Sequence, residues 1–144
     1  MKTVAVSGGF DPVHIGHVQL FEKARALGNR LIVILNNDNW LVAKKGFAFM
    51  EQKERAYVLA ALKYVDGVII TGHPKNPTDM SVCAELKTLK PNIFANGGDR
   101  KADNIPEYRL CNDLGIKMVF NLGDKIQSSS ELVKKAREWE NNLK

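Results

Sequence analysis

The sequence predicts a single three-layer α/β domain, a five-stranded parallel sheet flanked by helices, and three observations carry that reading. Short apolar runs of strand character alternate with longer stretches of helical periodicity. The first three elements follow one another as strand, helix, strand, a crossover that is right-handed and so gives parallel pairing. Twice an apolar run ends in a pair of glycines, at Gly8-Gly9 and at Gly97-Gly98. Both pairs then fall at the carboxyl ends of strands, where open parallel sheets bind ligands.

The chain of 144 residues is read as one domain over residues 1–144, long enough to bury a core without disulfides or metals. A hydrophobic share of 44% and a charged share of 26% are those of a soluble globular protein. No apolar run approaches the length of a bilayer span, and nothing at the N-terminus has the make-up of a signal peptide. A cytoplasmic protein with no membrane partner is the expectation. Cys83 and Cys111 stand beside apolar residues in helical patterns, so two buried free thiols are expected, which suits a reducing compartment. The formal charge of +5 is spread along the chain without a basic tail or an aromatic-interleaved stripe, which argues against nucleic acid as a partner. A mild positive bias does help to gather small polyanions.

Residues 2–6 read as the first strand and lead into Ser7-Gly8-Gly9-Phe10-Asp11-Pro12-Val13-His14-Ile15-Gly16-His17. Gly8 and Gly9 let backbone approach a ligand closely and adopt angles closed to other residues. Pro12 and Gly16 bracket a turn that opens a helix running to about Leu27, with Leu20, Phe21, Ala24 and Leu27 inward. The unpaired N–H groups and positive dipole end of that helix favour an anion. His14 and His17, three residues apart, share the face of its first turn, so two imidazoles would meet one phosphate. A metal pair is the alternative for His-x-x-His. It needs three or four ligands, and Cys83, Cys111 and His73 are not spaced to complete a site, so no protein-held metal is predicted.

Gly28 stops the helix and residues 30–35 form the second strand. Residues 36–50 read as a polar, glycine-containing loop carrying Lys44 and Lys45 at the same edge of the sheet as His14. The lysines either face solvent or close over a triphosphate, neutralising charge as it shifts. Residues 51–63 read as a helix apolar over much of its circumference and packed between the sheet and a neighbour. Arg55 is the exception there, either a surface ion-pair partner or a group for phosphate or base recognition. A third strand covers 68–71, and a turn over 72–77 places His73 at the surface. A helix over 79–89 is opened by Thr78 or Asp79 as cap. After Pro91 a fourth strand, 92–95, ends in Asn96-Gly97-Gly98-Asp99-Arg100. Backbone at Gly97 and Gly98 can read a base edge or ribose, and Asp99 can accept from a hydroxyl or amine. A helix over 106–114, a strand over 117–122 and a last helix from about Ser128-Ser129-Ser130 complete the chain. Those hydroxyls are either simple helix caps or a phosphate cradle.

The run from Gly9 to His17 resembles the signature of the cytidylyltransferase-like nucleotidyltransferase superfamily, which shares a HIGH motif with the much longer class I aminoacyl-tRNA synthetases. Residues 55–66, and the stretch from Lys90-Pro91-Asn92 to Gly97-Gly98-Asp99, are similar to the adenylyltransferases that activate heptose 1-phosphate. Glycerol-3-phosphate cytidylyltransferases are the next nearest likeness. The resemblance implies a Rossmann-like fold and transfer of AMP or CMP from ATP or CTP to a small phosphorylated acceptor, with release of pyrophosphate. It further implies catalytic roles for His14, His17, Lys44 and Lys45, and nucleotide contacts from Gly8, Gly9, Phe10, Asp11, Arg55, Gly97, Gly98, Asp99, Ser128, Ser129 and Ser130. Mg²⁺ would ride on the triphosphate, and a homodimer is implied. Two departures bear, the first on the phosphate contacts ahead of the serines and the second on the acceptor and base. Asn121-Leu122-Gly123-Asp124-Lys125 supplies no arginine ahead of the serines, and Arg100 stands where the two enzyme groups usually carry an aromatic. A non-catalytic nucleotide-binding module is the competing class; a nicotinamide-dependent dehydrogenase is disfavoured because Gly8-Gly9-Phe10-Asp11 does not supply G-x-G-x-x-G.

Overall fold

The computed structural model describes residues 1–97, 105–123 and 127–143. In chain order its elements are β1 (Thr3–Gly8), α1 (Ile15–Arg25), β2 (Arg30–Leu35), α2 (Asp38–Lys45), α3 (Gln52–Ala60), β3 (Gly67–Ile70), α4 (Cys83–Leu89), β4 (Ile93–Ala95), α5 (Glu107–Leu114), β5 (Lys117–Val119) and α6 (Ser129–Asn142). The sheet runs β3-β2-β1-β4-β5 with every pair parallel. Strand order therefore reverses between β1 and β4, and the carboxyl edge at that switch point is where such sheets leave a crevice for a ligand.

Alternation along β1 sets the two layers. Val4 and Val6 pack with Phe21, Ala24, Leu31, Val33 and Leu59 beneath α1 and α3. Ala5 turns to the other face and joins Ile34, Leu86, Phe94, Cys111 and Ile116 beneath α4 and α5. Among the described residues no helix is long and apolar enough to cross a membrane.

Several local expectations are corrected. Residues 36–50 are not a plain loop, because Asn37 Oδ1 accepts the Trp40 N–H at 3.0 Å and caps α2, and Gly46 ends that helix with φ 88°. The helix read over 51–63 stops at Ala60 and lies on the surface, burying Arg55 and Leu59 while Tyr57 is 81% exposed. Asp79 does not cap a helix; its Oδ1 accepts from the N–H and hydroxyl of Ser81 at 2.9 and 2.6 Å, and α4 starts later, at Cys83. β5 ends at Val119, three residues early. Cys111 is buried, whereas Cys83 is only half-buried.

His73 is buried rather than at the surface. Its Nε2 lies 2.9 Å from the Ser81 carbonyl, which can only accept, so the proton is on Nε2. Nδ1 therefore accepts from the Thr71 hydroxyl at 2.7 Å, and that hydroxyl oxygen in turn accepts the Asn37 N–H. The side chains of Asn37 and Asn39 both donate to the His73 carbonyl. This network ties the start of α2 to the chain after β3.

Candidate active site

The segment after β1 is shaped by supports beneath it. A Cβ added at Gly8 would stand 2.8 Å from Phe10 Cζ, and one at Gly9 would stand 2.9 Å from Leu41 Cδ2. The two glycines are thus required by space. The positive φ falls on Phe10 instead, at 48°, a costly conformation for an aromatic residue that the surroundings must hold. They do: its ring is buried edge-on to His17 at 4.8 Å and to Phe21 at 5.1 Å. Asp11, next in the chain and joined to Pro12 by a cis peptide bond, is buried and accepts the Phe49 and Met50 N–H groups at 2.6 and 2.7 Å.

Arg55 reaches under the same segment. It is 0% exposed, and its guanidinium donates to the carbonyls of Met50, Gly9 and Asn36 and to Asp38 Oδ1 at 2.7 to 2.9 Å. Arg55 is thus a clamp joining β1, β2, α2 and α3, not a surface ion-pair partner. Phe10 and Arg55 are buried, and Asp11, also buried, lines a cavity of about 330 Å³ with Lys45, Phe47, Ser129 and Ser130.

His14 is the N-cap of α1 and His17 its third residue. The Gly16 N–H donates to His14 Nδ1 at 3.1 Å, and the His14 N–H donates to His17 Nδ1 at 3.3 Å. Each Nδ1 is an acceptor, so each neutral ring carries its proton on Nε2. The rings stack with centroids 3.7 Å apart. Burial, then the neighbouring His14, then Lys45 push the pKa of His17 down to about 3, and burial lowers that of His14. Two neutral imidazoles are thereby held side by side as N–H donors.

They line a cavity of about 280 Å³ together with Lys45, Gly97, Leu122, Gly123, Gln127 and Ser128, Ser129 and Ser130. The serines divide the work of opening α6. Ser128 Oγ caps the helix by accepting the Glu131 N–H, and the Ser129 hydroxyl donates to the Pro12 carbonyl at 2.8 Å, fastening α6 to the loop. The Ser130 hydroxyl, and the N–H groups of Ser129 and Ser130, have no partner among the described residues. An anion in the cavity would meet the open N–H groups at the start of α6, two imidazole N–H groups and one ammonium.

Of the residues singled out in the sequence, the structure brings His14, His17, Lys45, Gly97 and the three serines to this cavity. Lys44 lines a different cavity beside Trp40. Gly98, Asp99, Arg100, Asp124 and Lys125 lie outside the described residues. Leu122, Gly123 and Gln127 were missed, although a glycine soon after a strand, just ahead of the serine cap, was a usable signal.

A parallel α/β sheet with two helix N-termini and a histidine pair at its switch point defines a phosphate-binding protein of the nucleotide-handling kind. Residues 5–139 match the cytidylyltransferase-like family, and the chain belongs to that family of nucleotidyltransferases. It is 33% identical over 141 residues to "Bifunctional protein HldE" of Aliarcobacter butzleri, 96% of this chain but 28% of that protein. It is 35% identical over 116 residues to "FAD synthase" of Pyrococcus abyssi, covering 80% of this chain and 75% of that one. Among solved structures, the lipopolysaccharide core biosynthesis protein of Thermoplasma volcanium superposes with a TM-score of 0.71 at 26% identity, over 88% of this chain and 99% of that one. The chain thus spans only about a quarter of the length of the first of these relatives.

Proposed function

We propose that the protein transfers a nucleoside monophosphate from a nucleoside triphosphate to a small phosphorylated acceptor, with ATP preferred over CTP. The single observation that carries this is the stacked, neutral His14–His17 pair, whose Nε2–H donors share one cavity with Lys45 and the start of α6. An oxygen of the acceptor phosphate supplies the electron pair for the new bond to the α-phosphorus. The bond from the α-phosphorus to the bridging oxygen breaks, and that pair leaves on pyrophosphate. The nucleophile is already anionic, so no general base is needed. Catalysis is positioning and charge stabilisation: His14 and His17 donate to phosphate oxygens, Lys45 covers them, and Ser128 to Ser130 hold the departing pyrophosphate.

Among the described residues no three His, Cys, Asp or Glu side chains cluster as metal ligands, and both Asp11 oxygens accept backbone N–H groups. This suits Mg²⁺ held by phosphate oxygens, where it supplies charge neutralisation. The preference for ATP is supported by the FAD synthase relatives, whose named product contains adenine. A homodimer and a cytoplasmic location belong to the same proposal. Sedimentation at micromolar concentration tests the dimer, and a lone 16.1 kDa species would refute it.

The deciding experiment offers four nucleoside triphosphates with Mg²⁺ against heptose, glucose, glycerol and choline phosphates and flavin mononucleotide, read by pyrophosphate release. One base should stand out, because a wrong base leaves buried donors and acceptors unpaired at about 1 to 3 kcal/mol each. Micromolar binding of ATP or CTP without pyrophosphate release from any pair would instead establish a non-catalytic nucleotide-binding module.

A further inference from the structure

We propose that α6 is the contact surface for a second copy of this chain, the two α6 helices packing antiparallel about a two-fold axis. This rests on the homodimer proposed above, to which it gives a surface, and is independent of the reaction.

The apolar face of α6 is open to solvent. The helix buries none of its residues, and Trp139 and Leu143 are 67% and 68% exposed. Leu132, Ala136, Trp139 and Leu143 follow at spacings of four, three and four, which sets them in one stripe along the helix. The opposite side meets the body of the molecule. Ser130, Val133, Lys134 and Arg137 line the cavity of about 330 Å³ beneath it, and Arg137 stands over the Phe47 ring at 5.1 Å. The helix thus turns two cations toward the body and a tryptophan toward solvent, and a continuous exposed apolar stripe marks an interaction surface.

The stripe is complementary to itself. An axis midway between Arg137 and Glu138 sets Leu132 against Leu143 of the second copy and Ala136 against its Trp139, so each indole lies on the small residue of the other chain. The charges obey the same axis. Lys134, Lys135 and Arg137 precede it and Glu138 and Glu140 follow it, so antiparallel packing lays each basic half along an acidic half. Lys135 then faces Glu138 of the second copy on one flank and Arg137 faces its Glu140 on the other, each pair made twice by symmetry. Parallel packing would set Trp139 against Trp139, leave a gap between the alanines and bring the basic halves level. A lipid surface fits less well, because Glu138 and Glu140 flank Trp139 and would meet anionic headgroups. In the antiparallel pair the helix that carries Ser128 to Ser130 into each nucleotide cavity is backed by the other copy, and the two serine caps stand about 25 Å apart along the pair.

One helix pair is at the small end of specific interfaces, under about 1,200 Å² in total, so the full chain should pass from monomer to dimer within roughly 1 to 100 µM. Sedimentation over that range gives the dissociation constant. Trp139→Ala should raise it about tenfold or more. Lys135→Glu should raise it as well, and Lys135→Glu combined with Glu138→Lys should bring it back toward the wild-type value, a recovery that damage to the fold would not produce. A wild type that stays at 16.1 kDa throughout would overturn both the surface and the dimer. A dimer that ignores Trp139→Ala, or that Lys135→Glu weakens with no recovery in the double variant, would overturn this surface and leave the dimer standing. A monomer whose Trp139 emission shifts to the blue on phosphatidylserine vesicles, read in a Trp40→Phe background, would make the stripe a lipid-binding face instead. Pyrophosphate release tests the reaction separately: a dimer held by α6 that releases none refutes the nucleotidyltransferase reading and leaves the pairing in place.

Discussion

Replacing His17 by Ala separates the chemistry of the histidine pair from its part in the fold. Three contacts go at once: the Nε2–H in the nucleotide cavity, the acceptor for the His14 N–H at 3.3 Å, and the edge contact with Phe10 at 4.8 Å. Losing one preorganised donor to transition-state charge lowers kcat about 10²- to 10³-fold. The half-buried hydrogen bond and the ring contact together contribute about 1 to 2 kcal/mol of stability, so the variant stays folded with a lowered Tm. A pyrophosphate-release assay at saturating substrates, beside thermal melting, reads both. The pH dependence gives a second check. The His17 pKa is lowered from 6.5 to about 3, so the neutral ring persists through that interval and kcat should show no loss with a midpoint near 6.5. The linked stability term has the sign of a depressed pKa: fully present above 6.5, it is lost as pH falls through that window toward 3. The Tm of the variant should therefore fall less steeply on acidification than that of the wild type. Near-normal turnover in the folded variant would refute the catalytic role, and an unchanged Tm–pH slope would refute the neutral, buried imidazole.

Arg55→Ala leaves three carbonyls and Asp38 without their common donor, so urea unfolding should show a loss of about 3 to 5 kcal/mol, and Arg55→Lys should recover little of it because one ammonium cannot reach all four. Gly16→Ala should do the opposite of most glycine changes. Its Cβ would stand 2.9 Å from His14 Cε1, so kcat falls about tenfold or more through misplacement, while the gain of about 0.5 to 1 kcal/mol in helix propensity keeps Tm level or raises it. A Gly16→Ala protein with full activity would show that the His14 ring position is not critical.

Much of this architecture was legible because period and punctuation agreed. The apolar runs at 30–35 and 92–95, each followed by polar or glycine residues, set strands that became β2 and β4, and the histidine spacing placed both rings on one helical turn. What failed did so where tertiary contacts decide. Nothing in the sequence separates a surface ion-pair role for Arg55 from a phosphate- or base-contacting one, and its burial is decided by four acceptors from separate parts of the chain. The glycine pair suggested unusual backbone angles, but the demand was for room, and the left-handed residue was Phe10. Lys44 and Lys45 could not be told apart in sequence, because only the helical turn of α2 sends neighbouring side chains to different cavities. The signs of that helix, Asn37 ahead and Gly46 behind, were visible in the sequence and are the ordinary ones.

The segment from Gly46 to Met50 illustrates what such supports do to timing. Its far end is bonded twice to Asp11 and once to Arg55, and its near end is the C-terminus of α2. A flap tethered at both margins does not swing over substrate on the microsecond-to-millisecond scale of lid closure. In the proposed reaction, closure over a triphosphate falls to the Lys45 side chain, a rotamer change of picoseconds to nanoseconds. For the proposed reaction, the Gly46–Met50 flank then offers substrate an arrangement already in place, and this flank adds no slow closing step to turnover.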